Sequence, residues 1–187
     1  MTPDSFQKFD LYVDMDGTIA KFYEHANCLE RMYEPGFFRT LNAYDNVINA
    51  LVILKNKGIE ICSLSALPDC KCIWVIDEKR EWIENTPLKT AIWRQIFTMP
   101  GQNKAFATGA DFKSGNPKVL LDDYNKNLEE WREAGGVAIK LVNEINDKGT
   151  LGPLWSGPRV RYDWPPERIA EEILLTIRNQ QTTIPNP

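Results

Sequence analysis

The residues able to do chemistry sit where short apolar runs end. Leu11-Tyr12-Val13 runs into Asp14-Met15-Asp16-Gly17-Thr18. Side chains at i and i+2 of an extended segment share a face, so Asp14 and Asp16 begin as neighbours. Two such charges about 4 Å apart repel by roughly 4 kcal/mol at an effective dielectric near 20. A counter-charge must offset that repulsion, or one carboxyl must hold a proton. Two other stretches end in the same manner. IEICSLSA closes near Ser65, with Ser63 as its competitor, and VLLDDYNKN closes in Asp122 and Asp123. If these three ends meet, four carboxylates, a hydroxyl and backbone amides share one crevice. Such an acidic cluster calls for a hard divalent cation with oxygen ligands. Mg2+ is the natural choice, because it binds through one or two carboxylates plus substrate phosphate and water. The metal together with a lysine would neutralise the Asp14–Asp16 pair.

The elements that must position these residues alternate in type. Strands are expected at Leu11–Asp14, Ile59–Leu64, Trp93–Thr98, Val119–Leu121 and Val137–Leu141. All are apolar, as strands buried on both faces of a parallel sheet are. Helical patterns fall between them at Asp45–Lys57 (capped by Gly58), Ile73–Glu84 and Asn127–Ala134, with a last helix at Pro166–Asn179. This alternation predicts a doubly wound α/β fold, a Rossmann-like parallel sheet with helices on both faces. Ligands of such sheets bind beyond the carboxyl ends of the strands, where Asp14 and Asp122 lie. The whole chain, 1–187, reads as a single domain. Residues 20–44 form a small irregular, aromatic insertion over the site, and 180–187 form a frayed tail. Within the insertion, Phe22, Tyr23, Tyr33, Phe37 and Phe38 could stack a base, but packing a small local core is the simpler reading for most of them.

Composition narrows the function classes. The net charge is −4 and no lysine- or arginine-rich run occurs, which disfavours a nucleic-acid partner. A small phosphorylated metabolite needs only one local basic pocket. No apolar stretch approaches the ~20 residues that span a bilayer, so no membrane partner is expected. The opening MTPDSFQKFD has no basic or apolar signal region, so a cytoplasmic setting is expected. Cys28, Cys62, Cys70 and Cys72, with one histidine, make a poor zinc set and read as reduced thiols. The single histidine, His25, reads as exposed. No second histidine exists for a Ser-His-Asp triad. Neither a C-x5-R loop nor a G-x4-G-K-[ST] phosphate loop is present.

The combination D-M-D-G-T after one strand, Ser65 after a second, a lysine, and D-D after a later strand resembles the haloacid dehalogenase superfamily of phosphohydrolases. The resemblance implies that Asp14 attacks phosphorus to form an aspartyl-phosphate and that Asp16 acts as general acid and base. It further implies that Ser65, with Gly17 and Thr18 of the first loop, holds the phosphoryl group. Mg2+ would be bound by Asp14, the Asp16 backbone carbonyl and Asp122, supported by Asp123. The phosphate-binding lysine is Lys104 by position, with Lys79 second; Lys113 and Lys118 stay open as alternatives. Pro35-Gly36-Phe37-Phe38, the EKREWI helix from Glu78 to Ile83, and LLDDYNKN resemble the 5′(3′)-deoxyribonucleotidase and 5′-nucleotidase branch, here with a shortened cap. That likeness implies a nucleoside (deoxy)monophosphate as substrate. A sugar-phosphate phosphatase and a catalytically silent phosphate-binding module are the competing readings. Asn125 and Asn127 could orient the loop after Asp123, though capping the next helix is the simpler role for Asn127.

Overall fold

The computed structural model describes residues 8–146 and 154–181. Its strands are β1 (Asp10–Val13), β2 (Glu60–Ala66), β3 (Ile92–Thr98), β4 (Lys118–Asp122), β5 (Val137–Val142) and β6 (Arg159–Arg161). Its α-helices are α1 (Cys28–Arg31), α2 (Asp45–Asn56), α3 (Trp74–Glu84), α4 (Lys104–Ala107), α5 (Asn125–Glu133) and α6 (Pro166–Gln181). All five expected strands are present within one or two residues at most ends. The sixth, β6, escaped the apolar pattern because it is three residues long, with arginine on both sides of Val160. Gln180 and Gln181 continue α6, and the rest of the expected tail lies outside the described residues.

The six strands form one sheet in the order β3-β2-β1-β4-β5-β6, every pair parallel. Chain direction across the sheet therefore reverses between β1 and β4, the place where α/β sheets open a crevice. Alternation along the strands divides the core in two. Leu11, Val13, Ile61, Val119, Leu121 and Ile139 pack with α2, α3 and α6 on one face. Tyr12, Cys62, Leu64, Leu120 and Ala138 pack with Leu128 and Trp131 of α5 and Ala105 of α4 on the other. Both faces are covered over β1, β2, β4 and β5, which explains why these four strands carry little polar alternation.

Gly58 has a positive φ of 85° and donates to the Lys55 carbonyl, ending α2 as its sequence position predicts. Between β1 and α2 the chain makes an excursion that an isolated bridge between Ala20 and Ala43 closes. Its core is Phe22, Phe37 and Phe38, with ring centroids 5.3–6.2 Å apart, so these three are packing residues. Glu78 fastens the excursion to α3: its carboxylate accepts from the Gly36 and Phe38 amides and from the Arg39 guanidinium. His25, expected to be exposed, is half-buried edge-on to Phe37. All four cysteines are free thiols. No described helix is long and apolar enough to cross a membrane.

Candidate active site

Register alone brings two of the motif carboxylates level. Val13 pairs with Leu121, so the next residue on each strand, Asp14 and Asp122, leave the sheet side by side. Val13 and Leu121 face α2, α3 and α6, which turns Asp14 and Asp122 toward the α4–α5 face. Both are buried. From that face Lys104, the first residue of α4, reaches in. Its Nζ donates to Asp14 Oδ1 at 2.5 Å and to Asp122 Oδ2 at 2.8 Å. Asp122 also accepts from the Tyr124 amide (2.8 Å) and from Asn127 Nδ2 (2.9 Å). Asn127 therefore orients a site carboxylate from inside α5 and does not cap the helix, correcting the sequence expectation. The N-cap position is Tyr124.

The loop after Asp14 is a tight turn. The amides of Thr18, Ile19 and Ala20 all point at the Met15 carbonyl, and Gly17 donates to the Ala20 carbonyl. Gly17 has φ +83°, and a Cβ there would lie 2.5 Å from Asp123 Oδ2, so glycine is needed for both backbone and space. The Thr18 hydroxyl is 3.5 Å from Asp123 Oδ1. Gly17 and Thr18, expected at the phosphate, have these polar groups engaged within the protein. Their amides are used within the turn, and the threonine hydroxyl turns to Asp123. Asp123 itself is buried and accepts from Asn143 and Asn146. Lys140, on the α4–α5 face beside Asp122, donates to the Asp123 carbonyl at 2.7 Å.

The turn also separates Asp14 from Asp16. The strand ends at Val13, so the i, i+2 rule no longer applies, and Asp16 swings to the α3 face. There it meets the ammonium of Lys79, which donates to Asp16 Oδ2 (2.5 Å), Ser65 Oγ (2.7 Å) and the Ala66 carbonyl (2.9 Å). The Phe38 ring covers this ammonium at 4.5 Å. Each motif aspartate therefore has its own lysine, where the sequence led us to expect one lysine and a metal for both. Ser65, not Ser63, is the hydroxyl at the site. Lys118 lies at the other end of the strands, paired with Asp10, and Lys113 is exposed.

The electrostatics fit a cation-binding site. Carboxylate oxygens of Asp14, Asp122 and Asp123 lie within 4.8 Å of one another. Burial pushes the Asp14 carboxyl well up; Lys104 opposes this, and Asp122, Asp16 and Asp123 add to it. Burial, then Asp122, push Asp123 up to about 7, against the hydrogen bonds from Asn143 and Asn146. Burial would lower Lys104, but the Asp122 and Asp14 charges outweigh it and hold the ammonium protonated. Three crowded, desolvated carboxylates form a hard oxygen donor set suited to Mg2+. The Asp16 carboxylate is not part of that set. A cavity of about 370 Å3 opens over the acids, lined by Asp14, Asp16 and Asp123 with Tyr23, Thr98, Gln102, Lys104, Tyr124, Lys126 and Glu130. Thr98 is buried, and its hydroxyl has no partner among the described residues. Lys140, Asn143, Asn146 and Thr98 were not anticipated. Lys140 and Thr98 sit in apolar strand runs where each breaks the pattern, the one signal that pointed to them.

No protein-family model matches the sequence, and no curated protein matches it significantly. Solved structures do match, by shape. A predicted phosphatase from Clostridium acetobutylicum superposes with a TM-score of 0.61 at 10% identity, covering 91% of this chain and 99% of that one. A D,D-heptose 1,7-bisphosphate phosphatase from B. bronchiseptica, complexed with magnesium and phosphate, gives 0.59 at 13% identity over 89% and 99%. A haloacid dehalogenase-like hydrolase from Streptococcus pneumoniae gives 0.60 at 9% identity over 88% and 98%. The chain therefore has the α/β fold of haloacid dehalogenase-type hydrolases.

Proposed function

We propose that this protein is a Mg2+-dependent phosphatase acting on a small phosphomonoester by way of an aspartyl-phosphate. The observation that carries the reading is the register-matched pair Asp14 and Asp122, joined by Lys104 and by Asp123 at the mouth of the sheet's crevice. Asp14, Asp122 and Asp123 would hold the metal, with the Asp16 backbone carbonyl as a further ligand. When bound, the metal neutralises charge on the phosphoryl oxygens and on the carboxylates.

In the first half-reaction an Asp14 oxygen attacks phosphorus while the bond to the leaving oxygen breaks. That oxygen keeps the bonding pair and takes a proton from Asp16. In the second, Asp16 removes a proton from water, which attacks the same phosphorus and releases phosphate and the Asp14 carboxylate. Lys104 has two of its three ammonium protons on Asp14 and Asp122, leaving one for a phosphoryl oxygen. Ser65 and Thr98 supply hydroxyls for the remaining oxygens.

The substrate we favour is a nucleoside (deoxy)monophosphate. Tyr23 and Tyr124 line the cavity as aromatic walls against which a base can rest. The cavity's polar wall of Gln102, Lys126 and Glu130 supports a sugar phosphate as the second reading, as does the fold shared with a heptose bisphosphate phosphatase. The free cysteines suit a reducing compartment such as the cytoplasm. Phosphate release from a panel of nucleotides and sugar phosphates, with and without Mg2+, tests the proposal. Metal-dependent turnover that Asp14→Asn abolishes without unfolding is expected; turnover retained by that variant overturns the mechanism.

A further inference from the structure

We propose that Lys79 does not bind the phosphoryl group but is a positioning residue, which aims Asp16 and Ser65 at the scissile bond. An ammonium has three protons and accepts nothing. Asp16 Oδ2, Ser65 Oγ and the Ala66 carbonyl take all three at 2.5–2.9 Å, and Phe38 covers the ammonium. Lys79 is completely buried, so no solvent-side donor is left over. Lys104, by contrast, keeps one proton uncommitted among the described residues.

The arrangement has two consequences for the acid–base step. With Oδ2 held by Lys79, the proton-carrying atom of Asp16 is Oδ1, which is buried without a hydrogen-bond partner among the described residues. Asp16 lines the cavity beside Asp14, so Oδ1 is the oxygen left to hand its proton to the departing group. Ser65 Oγ spends a lone pair on Lys79, which leaves its own proton for a phosphoryl oxygen. The preceding residue, Glu78, holds the Gly36 and Phe38 amides of the excursion. One turn of α3 therefore locks both the aromatic cover and the acid–base residue.

The inference rests on the phosphatase reading, and leaving-group dependence separates the two. An alkyl phosphate needs a proton on its departing oxygen; 4-nitrophenyl phosphate releases a stabilised phenolate and does not. Because kcat/KM reports the steps up to the first irreversible one, it isolates this proton transfer. In Lys79→Met, kcat/KM for the alkyl phosphate should fall ~10²-fold or more, the range of lost general acid catalysis, with 4-nitrophenyl phosphate losing at least ~10-fold less. Misplacement of Ser65 lowers both substrates alike, so the difference between them is the signal. The double variant Asp16→Asn/Lys79→Met should be no slower on the alkyl phosphate than Asp16→Asn alone. Equal losses on both substrates, or losses that multiply in the double variant, overturn the proposal. If Lys79→Met does not fold, Lys79→Arg takes its place: it keeps the charge, displaces the donors, and is held to the same difference. Wild-type protein that hydrolyses neither substrate overturns the phosphatase reading itself.

Discussion

Two buried lysines serve this site from opposite faces of one sheet, and they are built differently. Lys104 comes from α4, a four-residue helix on the α5 face, and joins two carboxylates that register places side by side. Lys79 comes from the middle of the eleven-residue α3 on the other face and is saturated by a carboxylate, a hydroxyl and a carbonyl under an aromatic ring. The first environment has excess negative charge and an uncommitted proton, which suits a group that must meet an incoming phosphoryl oxygen. The second is closed, which suits a group that must keep its neighbours still. On this proposal the number of protons already spent, more than charge alone, decides which lysine meets the substrate.

The largest effect that would sharpen this contrast comes from removing Lys104. Lys104→Met leaves Asp14 and Asp122 facing each other without a counter-charge in a buried site. We expect ~10²-fold or greater loss of kcat on any phosphomonoester, since an electrostatic stabiliser of the phosphoryl group is gone. The loss should be independent of the leaving group, the opposite signature to Lys79→Met. The metal-free variant should also be destabilised by ~3–5 kcal/mol in urea unfolding, the range for an orphaned buried charge. A leaving-group-dependent loss would merge the two lysines into one role.

A second effect concerns the acidic side alone. Asp14 and Asp123 both titrate above their unfolded values, so the folded protein prefers their protonated forms. The stabilisation that these two protonated carboxyls give the metal-free protein is therefore fullest below about pH 4 and is lost as pH rises toward about 7, where Asp123 ionises, by up to a few kcal/mol. The lowered carboxyls, half-buried Asp69 and exposed Asp111 and Asp163, titrate below this window. The melting temperature without metal should fall between pH 5 and pH 7.5, and Mg2+ should raise it more at pH 7.5. A metal-free Tm that climbs over that interval would contradict the crowded-carboxylate picture.

The smallest effect tests the turn that parts the two aspartates. Gly17→Ala forces a Cβ against the Asp123 carboxylate at a positive φ. A loss of ~1–3 kcal/mol in stability is expected, together with weaker Mg2+ binding by calorimetry. Unchanged metal affinity would detach Asp123 from the metal site.

Much of this was legible in the chain. The five apolar runs fix a parallel α/β sheet, because strands covered on both faces leave little polar alternation to confuse the reading. Their polar ends mark Asp14, Ser65, Asp122 and Asp123 in turn. A carboxylate closing a buried strand is costly to desolvate, so it stands out wherever a cation or a donor has to hold it. β6 was hidden by its brevity, and Asn143 and Asn146 by lying in a loop whose partners are more than a hundred residues away in Gly17 and about twenty away in Asp123.

Sequence by itself determined which residue types stand at the strand ends, since burial pattern and chain order are local properties. Only the tertiary structure decided how the two aspartates divide two lysines, because that depends on which face of the sheet each helix covers. A hydrogen bond reaches about 3 Å, and no one-dimensional pattern records which of Lys79, Lys104, Lys113 and Lys118 comes within that distance of which oxygen.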